Sequence, residues 1–313
     1  MTDRLIIALA QLNPIVGDID GNADRIRAAR KSAASADLIV FSELVLSGYP
    51  PEDLVLKPFF QDKIEAAALA LAFETADGGP ALLMGAPWRD EGELRNAVLL
   101  LDDGEVKAVR YKRDLPNYGV FDEKRVFSEG PMPGPINFRD VRIGVPVCED
   151  IWAPDVCECL QESGAEFFLV PNGSPFEVDK REVRLQHAVA RVTESGLPLA
   201  YVNQVGGQDE LVFDGGSFVL NGDCSLAAQQ PMFVEDIQLT EWRRDADGWS
   251  VTVTDRVEHP EGYEAIYCAM TLGLRDYVNK NGFPGVVLGM SGGIDSALTA
   301  AVAVDALGPD RVR

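Results

Sequence analysis

The 313-residue chain carries 28 Lys and Arg residues against 50 Asp and Glu residues, which gives a formal net charge of −22. Such an acidic chain, with no basic stripe to neutralise phosphates, excludes nucleic acids and anionic membranes as partners. The N-terminal sequence MTDRLIIALAQLNP has an apolar run too short to span a bilayer and no small-residue cleavage pattern. We therefore expect a cytoplasmic protein whose first apolar run is a β-strand.

The length suits one large α/β layer structure with part of a second domain, but not two complete domains. Five cysteines, none in the paired C-x-x-C spacing of zinc or redox sites, predict reduced thiols in a reducing compartment: Cys148, Cys157, Cys159, Cys224 and Cys268. Cys157 and Cys159 lie two residues apart in a predicted helix, where they occupy different faces and make poor metal ligands.

Apolar runs rich in β-branched residues alternate with amphipathic stretches in the first part of the chain. They predict a strand at 5–10, a helix at 22–35, a strand at 37–41, a helix at 54–73, a strand at 81–86 and a hairpin turning at 102–104 and returning at 106–111. After a long loop follow a strand at 141–147, a helix from about residue 154, a strand at 167–170, a helix at 180–194, a strand at 199–202 and short strands between 213 and 220. This order predicts an α/β protein with two sheets covered by helices.

The polar stretch EWRRDADGWSVTVTDRVEHP interrupts this pattern at 241–260. We predict a first domain over 1–240, a linker over 241–258 and the start of a second domain over 259–313, with a helix at 263–279, a strand at 286–288 and an alanine-rich helix. A single strand-loop-helix unit leaves its sheet without partners, so we expect the chain to be a fragment of a longer polypeptide.

Glu43, Lys112 and Cys148 each follow the carboxyl end of a predicted strand, where open α/β sheets gather catalytic groups. A thiol at the end of an apolar strand needs a base and a cation, because burial disfavours the thiolate. Neither histidine, His187 or His259, lies at a strand end, so a carboxylate and an amine are the expected helpers. The set predicts amide cleavage through a thioester, with Glu43 as general base and Lys112 and the backbone amide after Cys148 holding the oxyanion.

Taken singly, each of these residues is more often a surface charge or a core filler. The segment around them changes that balance. Residues 112–123 are loop-like, aromatic and stiffened by proline, which favours the presentation of side chains over packing.

In these segments the chain resembles the carbon-nitrogen hydrolase (nitrilase) superfamily, and more narrowly the glutaminase domain of the glutamine-dependent NAD+ synthetases. The resemblance is carried by FSE at 41–43, SGYP at 47–50, KRDLPNYGVFDEKRVF at 112–127, VPVCEDIW at 145–152, NGSPF at 172–176 and Lys180. It implies a Glu43, Lys112, Cys148 triad in a four-layer α-β-β-α sandwich that hydrolyses glutamine to glutamate and ammonia, a step that needs no cofactor.

The same resemblance implies that Tyr118, Ser174 and Lys180 bind glutamine, and an amino acid does need a cation for its carboxylate. Lys180 opens a helix, an unfavourable end for a solvated cation, which favours the functional reading. Glu123 and Glu149 resemble acids that stand behind the family's active site. Either one is expected to orient Lys112 or the substrate ammonium, with plain loop polarity as the alternative.

The sequence SGGIDS at 291–296 stands between a predicted strand and helix, where backbone amides can cradle phosphate. It lacks the Walker ending G-K-[ST] and resembles the PP-loop of ATP pyrophosphatases. This implies the beginning of a Rossmann-like domain that uses ATP and Mg²⁺ for adenylation. An ordinary glycine turn with a helix cap is the plain alternative. The expected ATP-binding residues are Gly289, Ser291, Gly292, Gly293, Asp295 and Ser296.

Together the two resemblances imply a parent enzyme that adenylates the nicotinate carboxylate of deamido-NAD+ and amidates it with ammonia to give NAD+. The expected partners are L-glutamine, deamido-NAD+ and ATP, in a homo-oligomer, and this chain alone is expected at most to release ammonia. No metal ligand can be named from the sequence.

Three alternatives stay open. Other PP-loop amidotransferases, such as GMP and asparagine synthetases, use a Cys-His-Glu set or an N-terminal cysteine, whereas position 2 here is Thr2. A stand-alone amidase or nitrilase is weakened by the SGGIDS segment. A non-catalytic glutamine-binding or oligomerisation module is disfavoured because no triad residue is missing.

Overall fold

The computed structural model, which describes residues 2–313, contains two large β-sheets and a separate two-stranded sheet. In chain order the strands are β1 (Arg4–Gln11), β2 (Leu38–Phe41), β3 (Ala81–Asp90), β4 (Glu93–Asp102), β5 (Glu105–Tyr111), β6 (Ile136–Phe138), β7 (Val141–Gly144), β8 (Phe167–Asn172), β9 (Leu199–Asn203), β10 (Val205–Gln208), β11 (Leu211–Asp214), β12 (Phe218–Leu220), β13 (Leu226–Gln229), β14 (Asp236–Asp245) and β15 (Gly248–Val251). The helices are α1 (Ile19–Ser32), α2 (Pro58–Glu74), α3 (Glu123–Val126), α4 (Asp155–Glu162), α5 (Lys180–Ser195), α6 (Gly262–Lys280) and α7 (Ile294–Leu307).

The first sheet has seven strands in the order β15-β14-β1-β2-β3-β4-β5, and the second has six in the order β13-β12-β9-β8-β7-β6. Strands β1, β2 and β3 are parallel to one another, and so are β7, β8 and β9. Strand β5 is antiparallel to β4, which is antiparallel to β3, so β5 runs in the direction of β2. The carboxyl ends of β2 and β5 therefore lie at the same edge of the first sheet.

Alternation along β1 shows how the sequence builds the layers. Leu5, Ile7 and Leu9 point into the space between the two sheets, while Ala8 and Ala10 point toward the helices. Successive strand residues face opposite sides, and here both sides are apolar because both faces of the sheet are covered. The strand is consequently apolar throughout its centre.

Helices close the two outer faces. Helices α1 and α2 pack on the first sheet through residues such as Ile26 and Ile64, and α4 and α5 pack on the second through Leu160 and Val192. Each helix turns one apolar stripe inward, as the helical period requires. The layers run helix, sheet, sheet, helix, so the predicted four-layer α-β-β-α sandwich is confirmed.

Two predicted elements differ from the structure for local reasons. Residues 54–73, predicted as one helix, are divided into a 3-10 segment at Glu52–Leu56 and helix α2, which begins at Pro58. Proline lacks an N–H donor and therefore fits the first helical position. The strand predicted at 141–147 ends at Gly144, after which the chain leaves the sheet toward Cys148.

The predicted linker over 241–258 is wrong for residues 241–251. Strand β14 pairs with β1 from Arg4 opposite Arg243 to Gln11 opposite Asp236, and β15 pairs with β14. The charged residues that suggested a linker alternate with buried ones along β14. One side of the strand carries Trp242, which has no exposed surface, and the opposite side faces solvent. The segment completes the first sheet.

Helix α6 packs against β10 through a polar contact. The Asp276 carboxylate accepts hydrogen bonds from the Gly207 amide at 2.8 Å and from Asn13 at 2.7 Å, and Lys280 donates to the Gly207 carbonyl at 2.9 Å. No helix within residues 2–313 has the length and apolarity needed to cross a bilayer.

The prediction of a strand at 286–288 is wrong. Only an isolated parallel bridge between Val286 and Val312 forms there. Residues 311–313 are its neighbours in this region, with the Val286 amide donating to the Arg311 carbonyl at 2.9 Å. The alanine-rich helix predicted after SGGIDS is confirmed as α7.

Replacing Trp242 with alanine should lower the free energy of unfolding by about 3–5 kcal/mol, the usual cost of removing a fully buried aromatic side chain. The indole packs 4.5 Å from the Phe167 ring, centroid to centroid, and donates to Thr240 at 2.9 Å. Denaturant unfolding followed by circular dichroism measures the loss, with the exposed Val253→Ala as control at about 0.5 kcal/mol or less. Equal losses in both variants would show that β14 contributes nothing to the core.

Candidate active site

The three residues that were predicted to be catalytic because each follows a strand lie at one edge of the sandwich. Glu43 follows β2 by two residues, Lys112 directly follows β5, and Cys148 opens a 3-10 segment beyond β7. The Glu43 amide donates to the carbonyl of Asn172, the last residue of β8, at 3.3 Å, which ties the ends of the two sheets together. The site thus lies where both sheets end.

A buried lysine between two carboxylates forms the centre of this site. The Lys112 ammonium lies 2.7 Å from Glu43 and 2.9 Å from Glu123, and the lysine and Glu43 side chains have no exposed surface. Burial alone would lower the pKa of Lys112, but Glu123 and Glu43 outweigh it and hold that pKa well above its usual range. An ammonium has three donors, so one N–H remains for a further acceptor.

Neutral donors complete the carboxylate shells. Asn96 donates to Glu43 at 2.7 Å, the Gly173 amide donates to the other Glu43 oxygen at 3.0 Å, and the Tyr49 hydroxyl donates to Glu123 at 2.8 Å. A side chain at position 173 would meet the Tyr49 ring at 2.9 Å, so only glycine allows this approach.

Sequence reasoning gave Tyr49 and Asn96 no role. The signal for Asn96 is a polar residue within the apolar run of β4, where burial without a partner is costly. Tyr49 lies in the SGYP segment that carried the resemblance, but nothing in that segment specifies its contact with Glu123.

Cys148 occupies a strained and buried position. Its φ is +48°, in the left-handed region that residues other than glycine rarely adopt, and 5% of the residue is exposed. Burial and then Glu43 raise the pKa of the thiol well above its usual range, while Lys112 and the Gly173 amide oppose that rise. The surroundings of Cys148 therefore disfavour the thiolate, and Glu43 is one of the groups that do so.

Asp150 joins the turn that carries Cys148 to the segment that carries Lys112. One carboxylate oxygen accepts from the amides of Arg113 at 3.0 Å and Asp114 at 2.7 Å, and the other accepts from the Val147 amide at 2.9 Å. Burial raises the pKa of Asp150 to about 7, although these backbone donors lower it. No role for Asp150 was predicted from the sequence.

Of the predicted glutamine-binding residues, Tyr118 donates to Glu149 at 2.8 Å at the exposed side of the site. Lys180 is buried, pairs with Glu177 at 3.3 Å, and is near enough to oppose the rise that burial causes in the pKa of Glu149. The two acids left open by the sequence thus have different neighbours, since Glu123 contacts Lys112 and Glu149 contacts Tyr118.

Ser174 is held by a buried ion pair that the sequence did not predict. Its hydroxyl accepts from Arg184 Nε at 3.0 Å, and Arg184 pairs with Asp214 at 2.8 Å through both carboxylate oxygens. Asn203 also accepts from the Ser174 amide at 3.0 Å. Ser174 is therefore fixed from behind by β9, β11 and α5.

His187 stacks on Trp152 with ring centroids 4.4 Å apart, so it packs within the protein as part of α5. Burial, then Arg191 and Lys180, lower its pKa. No group of three or more His, Cys, Asp or Glu side chains within residues 2–313 is arranged to hold a metal ion.

The SGGIDS loop is exposed and precedes α7, whose N-terminal cap is Gly293. The Ser296 hydroxyl accepts from the Ser291 amide at 3.3 Å and donates to the Gly293 carbonyl at 3.0 Å, which closes the loop around the helix start. Gly292 has φ of +81°, a conformation suited to glycine. In the part of the chain that the structure describes, no hydrogen bond joins the loop to Glu43, Lys112 or Cys148.

Comparison with known proteins follows the two parts of the chain. The carbon-nitrogen hydrolase model matches residues 6–246, and the NAD synthase model matches residues 266–313. The glutamine-dependent NAD(+) synthetase of Rhodobacter capsulatus is 50% identical over 314 residues, which cover 100% of this chain and 57% of that protein. The enzyme of the same name from Acinetobacter baylyi is 41% identical, covering 98% of this chain and 56% of that protein.

Two solved structures support the same assignment of fold. Glutamine-dependent NAD+ synthetase from Acinetobacter baumannii, in complex with ADP, has a TM-score of 0.92 and 41% identity over 99% of this chain and 59% of that one. An amidase from Nesterenkonia has a TM-score of 0.67 and 28% identity over 79% of this chain and 93% of that one.

The fold is the nitrilase-like α-β-β-α sandwich of the carbon-nitrogen hydrolases, with a carboxylate, a lysine and a cysteine buried at the shared edge of the sheets. The chain belongs to the carbon-nitrogen hydrolase family. It spans 57% and 56% of the length of the two curated relatives described above.

The Asp150→Asn variant should change how stability depends on pH. The folded state titrates Asp150 at about 7 and the ordinary pKa is 3.8, so between these values the folded state holds the extra proton. Its contribution to the free energy of unfolding therefore falls as pH rises from about 4 to about 7 and is level above that range.

Urea unfolding of both proteins at pH 5 and pH 8 measures this contribution. The free energy of unfolding of the original chain minus that of the Asp150→Asn variant should be lower at pH 8 than at pH 5. The same difference at both pH values would contradict the assignment of a near-neutral pKa to Asp150.

The Arg184→Met variant should lower the free energy of unfolding by about 3–5 kcal/mol, because it leaves the buried Asp214 carboxylate without a partner. The Arg184→Met, Asp214→Asn double variant removes both charges and should recover part of that loss. Denaturant unfolding of the two variants measures the difference, and a double variant less stable than the single one would contradict this account.

Proposed function

We propose that this chain hydrolyses the side-chain amide of L-glutamine, with Cys148 as nucleophile, Glu43 as general base and Lys112 as oxyanion donor. The observation that carries the proposal is the buried Lys112 ammonium, which two carboxylates hold at the same sheet edge as the buried Cys148. Such a lysine is costly to bury for structure alone. In a site where a carbonyl oxygen becomes charged, it supplies preorganised stabilisation.

The first half-reaction transfers the acyl group to sulfur. Glu43 takes the Cys148 proton as the sulfur attacks the amide carbon, and the third Lys112 N–H, with the Glu149 backbone amide, binds the resulting oxyanion. The C–N bond then breaks, and Glu43 returns the proton to the departing nitrogen as ammonia forms. A thioester between Cys148 and the glutamyl group remains.

The second half-reaction uses water. Glu43 takes a proton from water, the hydroxide attacks the thioester carbon, and Lys112 again holds the oxyanion. The C–S bond breaks, the Cys148 thiolate recovers the proton from Glu43, and glutamate leaves. Atoms balance as glutamine plus water giving glutamate plus ammonia.

We assign recognition of the amino acid to Tyr118, Ser174 and Lys180. The buried Lys180 ammonium suits the α-carboxylate, and Glu149, which Tyr118 orients, suits the α-ammonium. Glu123 fixes Lys112 rather than touching the substrate in this proposal. A simple amide would have no use for the charged pair at this side of the site.

For the protein as a whole we propose glutamine-dependent NAD+ synthesis, in which ammonia from the Cys148 site amidates an adenylated deamido-NAD+. Support comes from the match of residues 266–313 to NAD synthase and from the relatives' names. The Acinetobacter baumannii enzyme was solved in complex with ADP, which supports nucleotide binding as part of the proposed activity.

In the SGGIDS region we propose that the phosphates of ATP, with Mg²⁺, are held by Gly289, Ser291, Gly292, Gly293, Asp295 and Ser296. The backbone amides before α7 and the helix N-terminus suit an anion. Bound ATP would supply the adenylyl group for the carboxylate, and its β- and γ-phosphates would leave together as pyrophosphate. Asp295 is the acidic residue of the first helical turn and is the candidate on this loop for contact with the metal.

We further propose a hydrolase domain that extends through β15 at Val251, a connection of about ten residues, and a second, Rossmann-like domain that starts with α6 at Gly262. We also propose a cytoplasmic location, because the N-terminal sequence and the unpaired cysteines favour it, and a homo-oligomeric state, which follows from the family resemblance. On its own this chain is expected to release ammonia and not to make NAD+.

The Cys148→Ala variant should lose glutamate release from glutamine by at least about a thousandfold, because no other group can form the thioester. Cys159→Ala, which removes a thiol elsewhere, is the matched control and should leave the rate within about twofold. Mass spectrometry after treatment with diazo-oxonorleucine should place the label on Cys148.

Label on another residue, or unchanged turnover in Cys148→Ala, would contradict the triad. Turnover of butyramide with no turnover of glutamine would instead indicate a simple amidase. A folded protein with neither label nor turnover would indicate a binding module.

A further inference from the structure

The Lys180 ammonium is held weakly by charged groups. Its side chain is 9% exposed, and its ion pair within residues 2–313 is with Glu177 at 3.3 Å. The Glu177 side chain is 63% exposed, and an ion pair with an exposed carboxylate contributes little. A flexible four-carbon side chain needs some other contact to keep its charge in one place.

The indole of Trp152 supplies such a contact. Lys180 Nζ lies 5.0 Å from the centroid of the Trp152 ring, within the range in which a cation is attracted to an aromatic face. Trp152 directly follows the 3-10 segment that begins with Cys148, and its amide donates to the Glu149 carbonyl at 2.9 Å. The indole is thus attached to the turn that carries the nucleophile.

His187 keeps the indole in place. Its ring stacks on Trp152 at 4.4 Å with an interplanar angle of 21°. Residues 180 and 187 are seven positions apart on α5 and so lie on the same face of the helix. Burial, then Arg191 and Lys180, lower the pKa of His187, which keeps the imidazole neutral and avoids a second cation at the ring.

We propose that Trp152 is a positioning residue for the reaction, holding the Lys180 ammonium at the point where the α-carboxylate of the substrate binds. His187 supports it by stacking. This inference rests on the proposed glutaminase activity and deepens it, since it makes the choice of an amino-acid amide over a simple amide depend on an indole. Neither Trp152 nor His187 touches the substrate in this arrangement.

The test compares Trp152→Leu, Trp152→Phe and the control Trp88→Leu, which removes another half-buried indole from β3. Trp152→Leu should raise KM for glutamine about tenfold, equivalent to about 1.4 kcal/mol of uniform binding, and leave kcat within about twofold. Trp152→Phe keeps an aromatic face and should stay within about threefold of the original KM. Trp88→Leu should leave KM unchanged.

A double-variant cycle separates positioning from general structural damage. In a Lys180→Met background, Trp152→Leu should raise KM no further, because the cation that the indole positions is gone. His187→Ala should raise KM in the same direction by about twofold to threefold. Saturation kinetics of Cys148 labelling by diazo-oxonorleucine give a second measure of binding that does not depend on turnover.

Additive effects of Trp152→Leu and Lys180→Met, or a fall in kcat with KM unchanged, would overturn the positioning role. Equal KM values for Trp152→Leu and the original chain would overturn it as well. Failure of the original chain itself to hydrolyse glutamine or to be labelled at Cys148 would contradict the proposed function, which the variants do not test.

Discussion

Burying the Lys112 ammonium between Glu43 and Glu123 costs several kcal/mol of desolvation for each ion, and the surroundings are arranged to offset that cost. The lysine donates to one oxygen of each carboxylate, Asn96 and Tyr49 donate to the same oxygens of Glu43 and Glu123, and the Gly173 amide donates to the other oxygen of Glu43. Loss of Lys112 would leave both buried carboxylates without their cation, and loss of a neutral donor would remove one of the hydrogen bonds that stabilise them. The site is therefore stable as a set, and its residues depend on one another.

This dependence explains the geometry around it. Glu43, Lys112 and Cys148 come from three strands in two sheets, so the sheets must end at the same place for the charges to meet. Two sets of hydrogen bonds hold the sheet ends together. The Glu43 amide donates to the Asn172 carbonyl, and the Asp150 carboxylate accepts from the amides of residues 113, 114 and 147. Hydrogen bonds made by the backbone thus set the distances between the reactive side chains.

The sequence was informative where a rule acts along the chain. Strand ends identified Glu43, Lys112 and Cys148 as neighbours, because parallel strands bring their carboxyl ends to one edge. Periodicity located the layers for the same reason. Tyr49 and Asn96 were not found, since their contacts with carboxylates depend on distances between elements far apart in sequence.

Two other failures have definite causes. The second half of β14 was predicted to be linker because its exposed side is charged, and only its pairing with β1 shows that the alternate residues are buried. The Arg184–Asp214 pair behind Ser174 was missed because a helix residue and a strand residue thirty positions apart give no local signal. Trp152 likewise gains its meaning only from Lys180 and His187 beside it.

The pairing of β1 with β14 has a consequence for how the molecule comes to be folded. Gln11 and Asp236 are partners although more than 220 residues separate them, so one neighbour of the central strand β1 is synthesised long after β1 itself. Closing so long a loop costs conformational entropy, and contacts of this range slow folding. On a ribosome, β1 would keep one edge unpaired until residue 245 had emerged, and an unpaired edge is prone to aggregation. The first sheet would then be completed only shortly before α6 is synthesised. Synthesis of the region between Asp236 and Gly262 would therefore set the time at which the chain can fold.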